Sequence, residues 1–318
     1  MKRYFQKIIL VSLLFAGCFL DASTNFLTLE NDAIVGKDNH YTNGLFYVWM
    51  SDNDTSFPDL LKFTGLEQKN IAFSITHGIF TPKDKQRSTV NLDDLPYAGY
   101  LDFSFLFYKS SKNVFNELGV NLGLVGPSAQ AGSLQKWFHG VIGHEKPKGW
   151  DTQLKDHFLS GISYNIGYKT DSKKIGNISF DTTVNARGDY GNFYSGITTG
   201  ATFRFSSTPL KSFSVTGNFI GANEALALNY KERKNFNWAF SLGVYYNKFY
   251  KYYLVDEAID EGYHLERIDY MVGEKVSLDM FYKGYKISFY LKSVDIYSED
   301  TPSFENEKTG GISVIWKF

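Results

Sequence analysis

The sequence is poor in the features that mark most soluble enzymes, and each gap excludes something. It holds one cysteine, Cys18, in 318 residues. One thiol rules out a disulfide framework and a cysteine-built zinc site. Neither charge sign is in surplus: 33 Lys and Arg stand against 34 Asp and Glu, a formal net charge of -1. With no basic excess to neutralise phosphates, nothing points to nucleic acid. Long apolar runs are absent too. The one extended stretch, Ile8 to Leu20, has 13 residues, short of the roughly 20 that a spanning helix needs. The mean hydropathy of -0.26 looks soluble, but a membrane barrel hides behind such a value because only alternate residues face lipid.

What is abundant is aromatic. There are 22 Tyr and 28 Phe, and aromatics make up 17% of the chain; barrels place such residues in girdles at both membrane interfaces. The N-terminus reads as an export signal. Lys2, Arg3 and Lys7 form a positive region, Ile8 to Leu20 the apolar region, and cleavage after Ala22 fits the small residues Ala22 and Ser23. The alternative is a lipoprotein signal with Cys18 acylated, which Phe15 fits poorly. The expected organisation is a signal peptide over 1–22 and one domain over 23–318. Removal of the signal would leave a chain without cysteine.

Beyond residue 22 the pattern has period two. Phe103, Phe105 and Phe107 interleave with Asp102 and Ser104. Ile178, Phe180, Thr182 and Val184 interleave with Ser179, Asp181 and Asn185. Phe236, Trp238, Phe240, Leu242, Val244 and Tyr246 interleave with smaller or polar residues. One apolar face at period two means strands. Ile312, Val314, Trp316 and Phe318 carry the alternation to the last residue, as in the closing strand of an outer-membrane barrel. Strands are expected over 25–31, 41–51, 69–80, 98–109, 113–125, 157–170, 174–188, 195–206, 236–250, 267–282, 285–297 and 309–318. The fold class is therefore all-β: a transmembrane antiparallel barrel of about 12 strands, the even count usual for bacterial chains. A further apolar stretch, 213–221, is assigned to a long loop. With a periplasmic N-terminus, 32–40, 81–97 and 126–156 lie outside, and Lys109 to Lys112 makes a short periplasmic turn.

Within 126–156 the period changes. Leu134, Trp137, Phe138, Val141 and Ile142 share one face of a short helix, Gln135 and His139 share a polar one, and Gly143 stops it. Such a helix could be a mere plug or lid. The other two external loops add carboxylate, amide, hydroxyl and cations to the same rim: Glu30-Asn31-Asp32, Tyr41-Thr42-Asn43-Gly44, and Lys83, Lys85 and Arg87. Each group alone has an ordinary explanation, Asn-Asp as turn chemistry and a lone His as a surface residue. Together they supply what a hydrolase needs: a base, a hard-cation ligand and cationic anchors.

These residues, with Leu95-Pro96-Tyr97-Ala98-Gly99, Gly126-Pro127-Ser128 and Gly149-Trp150-Asp151-Thr152-Gln153-Leu154, resemble the lipid A 3'-O-deacylase family. The match covers about 26–158; the second half matches only as barrel strands. The resemblance implies a twelve-stranded barrel whose active site lies between the wall and a helical external loop, dependence on Ca2+, and removal of the ester-linked 3'-acyloxyacyl chain of lipid A. The family's functional positions fall on Asn31, Asp32, Thr42, His139 and Glu145, with basic positions among Lys83, Lys85 and Arg87. His139 is then the general base, Asp32 and Glu145 are the carboxylates available to calcium, with Glu145 alternatively orienting His139, and Lys85 or Arg87 meets a lipid A phosphate. Gln135 joins the substrate-binding set. No Gly-x-Ser-x-Gly elbow exists, and Ser128 and Ser133 lack a nucleophile's context, so attack by water is favoured over an acyl-enzyme. The expected setting is the bacterial outer membrane with the site facing the external leaflet, and lipopolysaccharide as partner. Two other readings stay open: an outer-membrane phospholipase, or a porin or other non-catalytic barrel.

Overall fold

The computed structural model describes residues 23–36, 40–51, 66, 68–217, 235–294 and 307–317. The signal segment 1–22, the connection over 52–65 and the closing Phe318 lie outside the described residues, as does the 295–297 end of one expected strand.

Thirteen strands form one antiparallel sheet: β1 (Ser23–Asn31), β2 (Tyr41–Ser51), β3 (Gln68–Phe80), β4 (Ala98–Ser110), β5 (Val114–Val125), β6 (His157–Lys169), β7 (Lys173–Ile175), β8 (Ile178–Gly191), β9 (Tyr194–Ser206), β10 (Asn237–Tyr252), β11 (Tyr270–Tyr282), β12 (Tyr285–Ser293) and β13 (Lys308–Lys317). β1 pairs with β13, and β6 pairs with β8 past the tiny β7. Setting β7 aside, twelve strands close on themselves, and no edge is left unpaired. The expectation of one strand over 174–188 is corrected here. Gly176, at φ 61°, turns the chain between β7 and β8, which form a small hairpin at the rim. Among the described residues there are two α-helices, α1 (Ala131–Ile142) and α2 (Tyr253–Asp260).

The alternation sorts the side chains as the barrel requires. Leu27, Leu29, Phe103, Phe105, Leu122 and Ile162 point outward and are exposed. Trp49, Trp316, Tyr168, Tyr282 and Tyr285 lie near the short-turn end of the wall, Tyr190, Tyr250 and Tyr270 near the other. The connections 32–40, 81–97, 126–156 and 253–269 share one end, which is the external one when the N-terminus is periplasmic.

Inside, side chains and the chain after β9 occupy much of the lumen, and a cavity of about 130 Å³ remains beside Asp102, Arg187 and Asp189. Buried ion pairs between nearby strands line the lumen, among them Arg204 on Asp181 at 2.9 Å and Lys292 on Glu30 at 2.7 Å. Over 213–217, the described part of the stretch 213–221, the segment after β9 forms no strand. Its described part enters the barrel as irregular chain. Arg204 donates to the Ser212 carbonyl, Lys169 to that of Leu210, and Phe213 packs edge-on against Phe115 across the lumen. Phe213 and Val215 join Phe26, Met50, Leu106 and Ile315 in one buried cluster. At the external end, Tyr41, Phe80, Tyr100, Phe193, Phe249 and Leu254 form a second.

Candidate active site

The site is assembled where α1 lies against the outer wall. On β3 the outward positions run Ile71, Phe73, Ile75, His77 and Ile79, and the last is covered although it faces out. Its cover is α1: Ile79, Tyr97, Ala131 and Trp150 form a buried cluster with Leu134 against it. The approach is close enough to require a glycine. A methyl at Gly99 would come within 2.7 Å of Ala131 Cβ. Gln135 is buried beneath the helix and accepts a hydrogen bond from Trp150 Nε1 at 2.7 Å, while its own Nε2 has no partner. Trp150 packs on Tyr97 with ring centroids 4.9 Å apart. Gln135 thus ties the helix to the turn at Gly149–Thr152, which the Leu-Pro-Tyr-Ala-Gly and Gly-Trp-Asp-Thr motifs build between them.

His139 is half-buried one turn further along. Its Nδ1 lies 2.6 Å from the backbone carbonyl oxygen of Glu145. A carbonyl only accepts, so Nδ1 carries the proton, and in the neutral ring Nε2 keeps its lone pair. The loop that returns Glu145 to His139 is set by Gly143, at φ 73°, whose N–H and that of His144 both close on the His139 carbonyl. Glu145 therefore orients the imidazole through its main chain, while its carboxylate is exposed. His144, also exposed, meets the His139 ring edge-on at 6.0 Å.

The second group of residues lies at the tops of β1 and β2. Asn31 caps a single 3-10 turn: its Oδ1 accepts from the Ala33 N–H at 2.8 Å. Asp32, the first residue of that turn, is buried, and Lys85 Nζ stands 4.0 Å from its Oδ2. Thr42 is the extra residue of a β-bulge between Tyr41 and Asn43, and its hydroxyl shares a hydrogen bond with Thr81 at 2.8 Å. Asn31 and Asn43 are register partners, and Asn43 and Ile79 are partners in turn. One rung thus leads from the Asn-Asp pair to the wall beneath α1. Glu30 points into the lumen and takes hydrogen bonds from Tyr41 and Tyr290.

Of the three second-loop cations, Lys85 alone is drawn to Asp32. Its backbone carbonyl also accepts from the Tyr97 hydroxyl and the Lys148 N–H, each at 3.0 Å. Lys83 and Arg87 have exposed side chains, and Arg87 Nε donates to Thr89. The two expected calcium carboxylates are not gathered with a third group. Among the described residues no group of three or more His, Cys, Asp or Glu is placed to hold a metal ion. Asp32, with the neutral oxygens of Asn31 and Thr42 at the tops of β1 and β2, offers ligands of the kind a hard cation takes, and Glu145 presents an exposed carboxylate on its own loop. Ser128 donates to Asp156 at 2.8 Å, a loop tie rather than an activated nucleophile.

Two histidines escaped the sequence reasoning. His77 Nε2 donates to the Ala129 carbonyl at 3.0 Å and fastens the turn before α1 to the wall. A polar residue in the outward register of a membrane strand was the available clue. His40, buried ahead of β2, lies 2.9 Å from Asp94 and 2.5 Å from Glu307 and so joins three external loops. Burial pulls its pKa down, but the two carboxylates outweigh that and raise it to about 9. The Asp94 carboxyl is held below its usual range, because the His40 interaction and two backbone N–H bonds outweigh its own burial. Nothing in the local sequence pairs positions so far apart.

A barrel wall, a helical external loop on it and a full-length family match agree. The family model described as outer membrane protein LpxR matches residues 7–318. The chain belongs to the LpxR family. This LpxR-family barrel also superposes on a solved structure of LpxR from Salmonella typhimurium with a TM-score of 0.75, covering 93% of this chain and 100% of that one at 16% identity. The β-domain of the Bordetella autotransporter BrkA covers 93% of this chain and 99% of its own at 8% identity, but its TM-score of 0.45 carries no argument. No curated protein sequence matches. The family and the closed barrel place the chain in the bacterial outer membrane.

Proposed function

We propose that this protein is an outer-membrane lipid A deacylase that hydrolyses the ester-linked 3'-acyloxyacyl chain in the external leaflet. Membership of the LpxR family supports the class. The observation that carries the chemistry is the His139 Nδ1–Glu145 carbonyl contact, which leaves Nε2 as the base. Nε2 takes a proton from water, and the hydroxide adds to the ester carbonyl carbon. As the tetrahedral intermediate collapses, the bond from that carbon to the sugar oxygen breaks, and the leaving oxygen takes the proton back from the imidazolium. The unpartnered Nε2–H of Gln135 is a donor in search of an acceptor, which supports its place in the substrate-binding set. Lys85 offers a charge for a lipid A phosphate, with Lys83 and Arg87 further out. Asp32, with the oxygens of Asn31 and Thr42, would hold calcium, which when bound polarises the ester carbonyl as a Lewis acid. Glu145 acts here through its main chain.

The two buried clusters across the lumen weigh against the porin alternative. The test is mass spectrometry of lipids from cells carrying the wild type or His139→Asn. Lipid A lacking one 3' chain only with the wild type supports the proposal. Lysophospholipid instead would make the protein a phospholipase, and unchanged lipids would remove the activity.

A further inference from the structure

The side of α1 that packs on the wall is not its apolar side. Buried on the barrel are Ala131, Gly132 and Gln135. With 3.6 residues per turn, Trp137, Phe138 and Val141 line a flank about a third of a turn away, while Leu134 on that flank packs back against the wall cluster. Trp137 is 54% exposed, Phe138 48% and Val141 64%, and Ile142, at the helix end, is 45% exposed. A helix in water would turn this flank onto the protein. Four large apolar side chains in one exposed patch mark a contact surface. The chemistry of the occupant follows from what the patch adjoins. α1 rests on the outward side of β3 and β4, whose exposed Phe103 and Phe105 already face acyl chains. Lys136 and Gly140 lie on the opposite flank, where a cation belongs if headgroups are there.

We propose that the Trp137–Phe138–Val141 flank of α1 is a lipid-docking surface, seated among the acyl chains of the outer leaflet as an extension of the barrel's own girdle. The flank fixes the depth of the helix, and with it the level at which His139 meets the leaflet. This goes beyond the proposed reaction, since it rests on the outer-membrane placement and the exposed flank alone. An interfacial helix of this kind needs an apolar face and a charged one, not a spanning length.

The chain's single cysteine makes the test direct. On a Cys18→Ser background, Val141→Cys, Phe138→Cys, Lys136→Cys and Ser133→Cys are each labelled with an environment-sensitive fluorophore. The full-length protein is reconstituted in phosphatidylcholine vesicles containing lipopolysaccharide. With acyl-brominated phosphatidylcholine, labels at 138 and 141 should lose at least half their fluorescence and be shielded from iodide; those at 133 and 136 should show the reverse. Equal iodide quenching at all four positions would overturn the proposal, as would a Val141→Cys disulfide dimer forming in native vesicles, which would assign the flank to a second copy. Because the readout is quenching, it stands or falls separately from deacylation.

Discussion

At the scale of single residues, the two neighbouring histidines separate chemistry from surface. His139 has its Nδ1 occupied by a carbonyl, and His144 is exposed. Replacing His139 with Asn or Ala is expected to leave folding and heat-modifiable gel migration intact. Lipid A deacylation in outer-membrane extracts should fall by roughly two to four orders of magnitude, the usual contribution of a general base. His144→Ala should stay largely active; equal, mild losses would make His139 structural. Asp32 tests the metal. Activity should vanish on exhaustive chelation and return with calcium, and Asp32→Asn should raise the calcium needed. Full activity without divalent ions would assign Asp32 to Lys85 alone.

His40 gives a pH dependence with a definite sign. Its folded pKa, about 9, lies above the ordinary histidine value of 6.5. Its contribution to stability is therefore complete below the unfolded value and is lost as pH rises through about 9. Protease cleavage within 81–97, followed on gels, should be slow below about pH 6.5 and quicken as pH rises from there to about 9. In His40→Gln the rate should be high throughout and lack that rise.

At the scale of elements, the end of α1 matters more than its length. Gly143 is left-handed, and a Cβ there would touch nothing within 4 Å. The demand for glycine is thus conformational, and Gly143→Ala costs about 1 kcal/mol locally. The turn that carries the Glu145 carbonyl to His139 should loosen. Deacylation should drop while the barrel's melting temperature is unchanged; unaltered activity would show that the turn does not set the imidazole. The β-bulge at Thr42 is the second local device. One extra residue between Tyr41 and Asn43 lets Tyr41 pack on Phe80 inside while Asn43 joins the outward rung.

At the scale of the whole molecule, the barrel is a scaffold for an outer surface. A hydrophobic cluster closes the external end, and the chain after β9 crosses the other. Reconstituted in planar bilayers, the protein should show no steady porin-like conductance. Arg204→Leu should destabilise it by about 3–5 kcal/mol, since it strands the Asp181 charge in the interior, and unfolding in denaturant would measure this. External placement of 126–156 is checked with an epitope tag. Ala131 is buried on the wall and a poor place for it; inserted after His144, where the loop is exposed, the tag should be reachable on intact cells.

The strands were legible because each lies between lipid and a polar lumen, which imposes period two on every stretch of ten residues or so. That constraint is local, and the expected strands fall within a few residues of the observed ones except where Gly176 divides β7 from β8. The helix over 131–142 and its stop at Gly143 were legible for the same reason, a period read within one segment. Which flank of that helix meets the wall was not, because lipid as well as protein takes an apolar flank. Nor was the choice of Lys85 among the loop cations, the use of Glu145 by its carbonyl, or the joining of His40 to Asp94 and Glu307. Those depend on contacts between residues up to 267 positions apart, and only closing the barrel brings such residues to one rim.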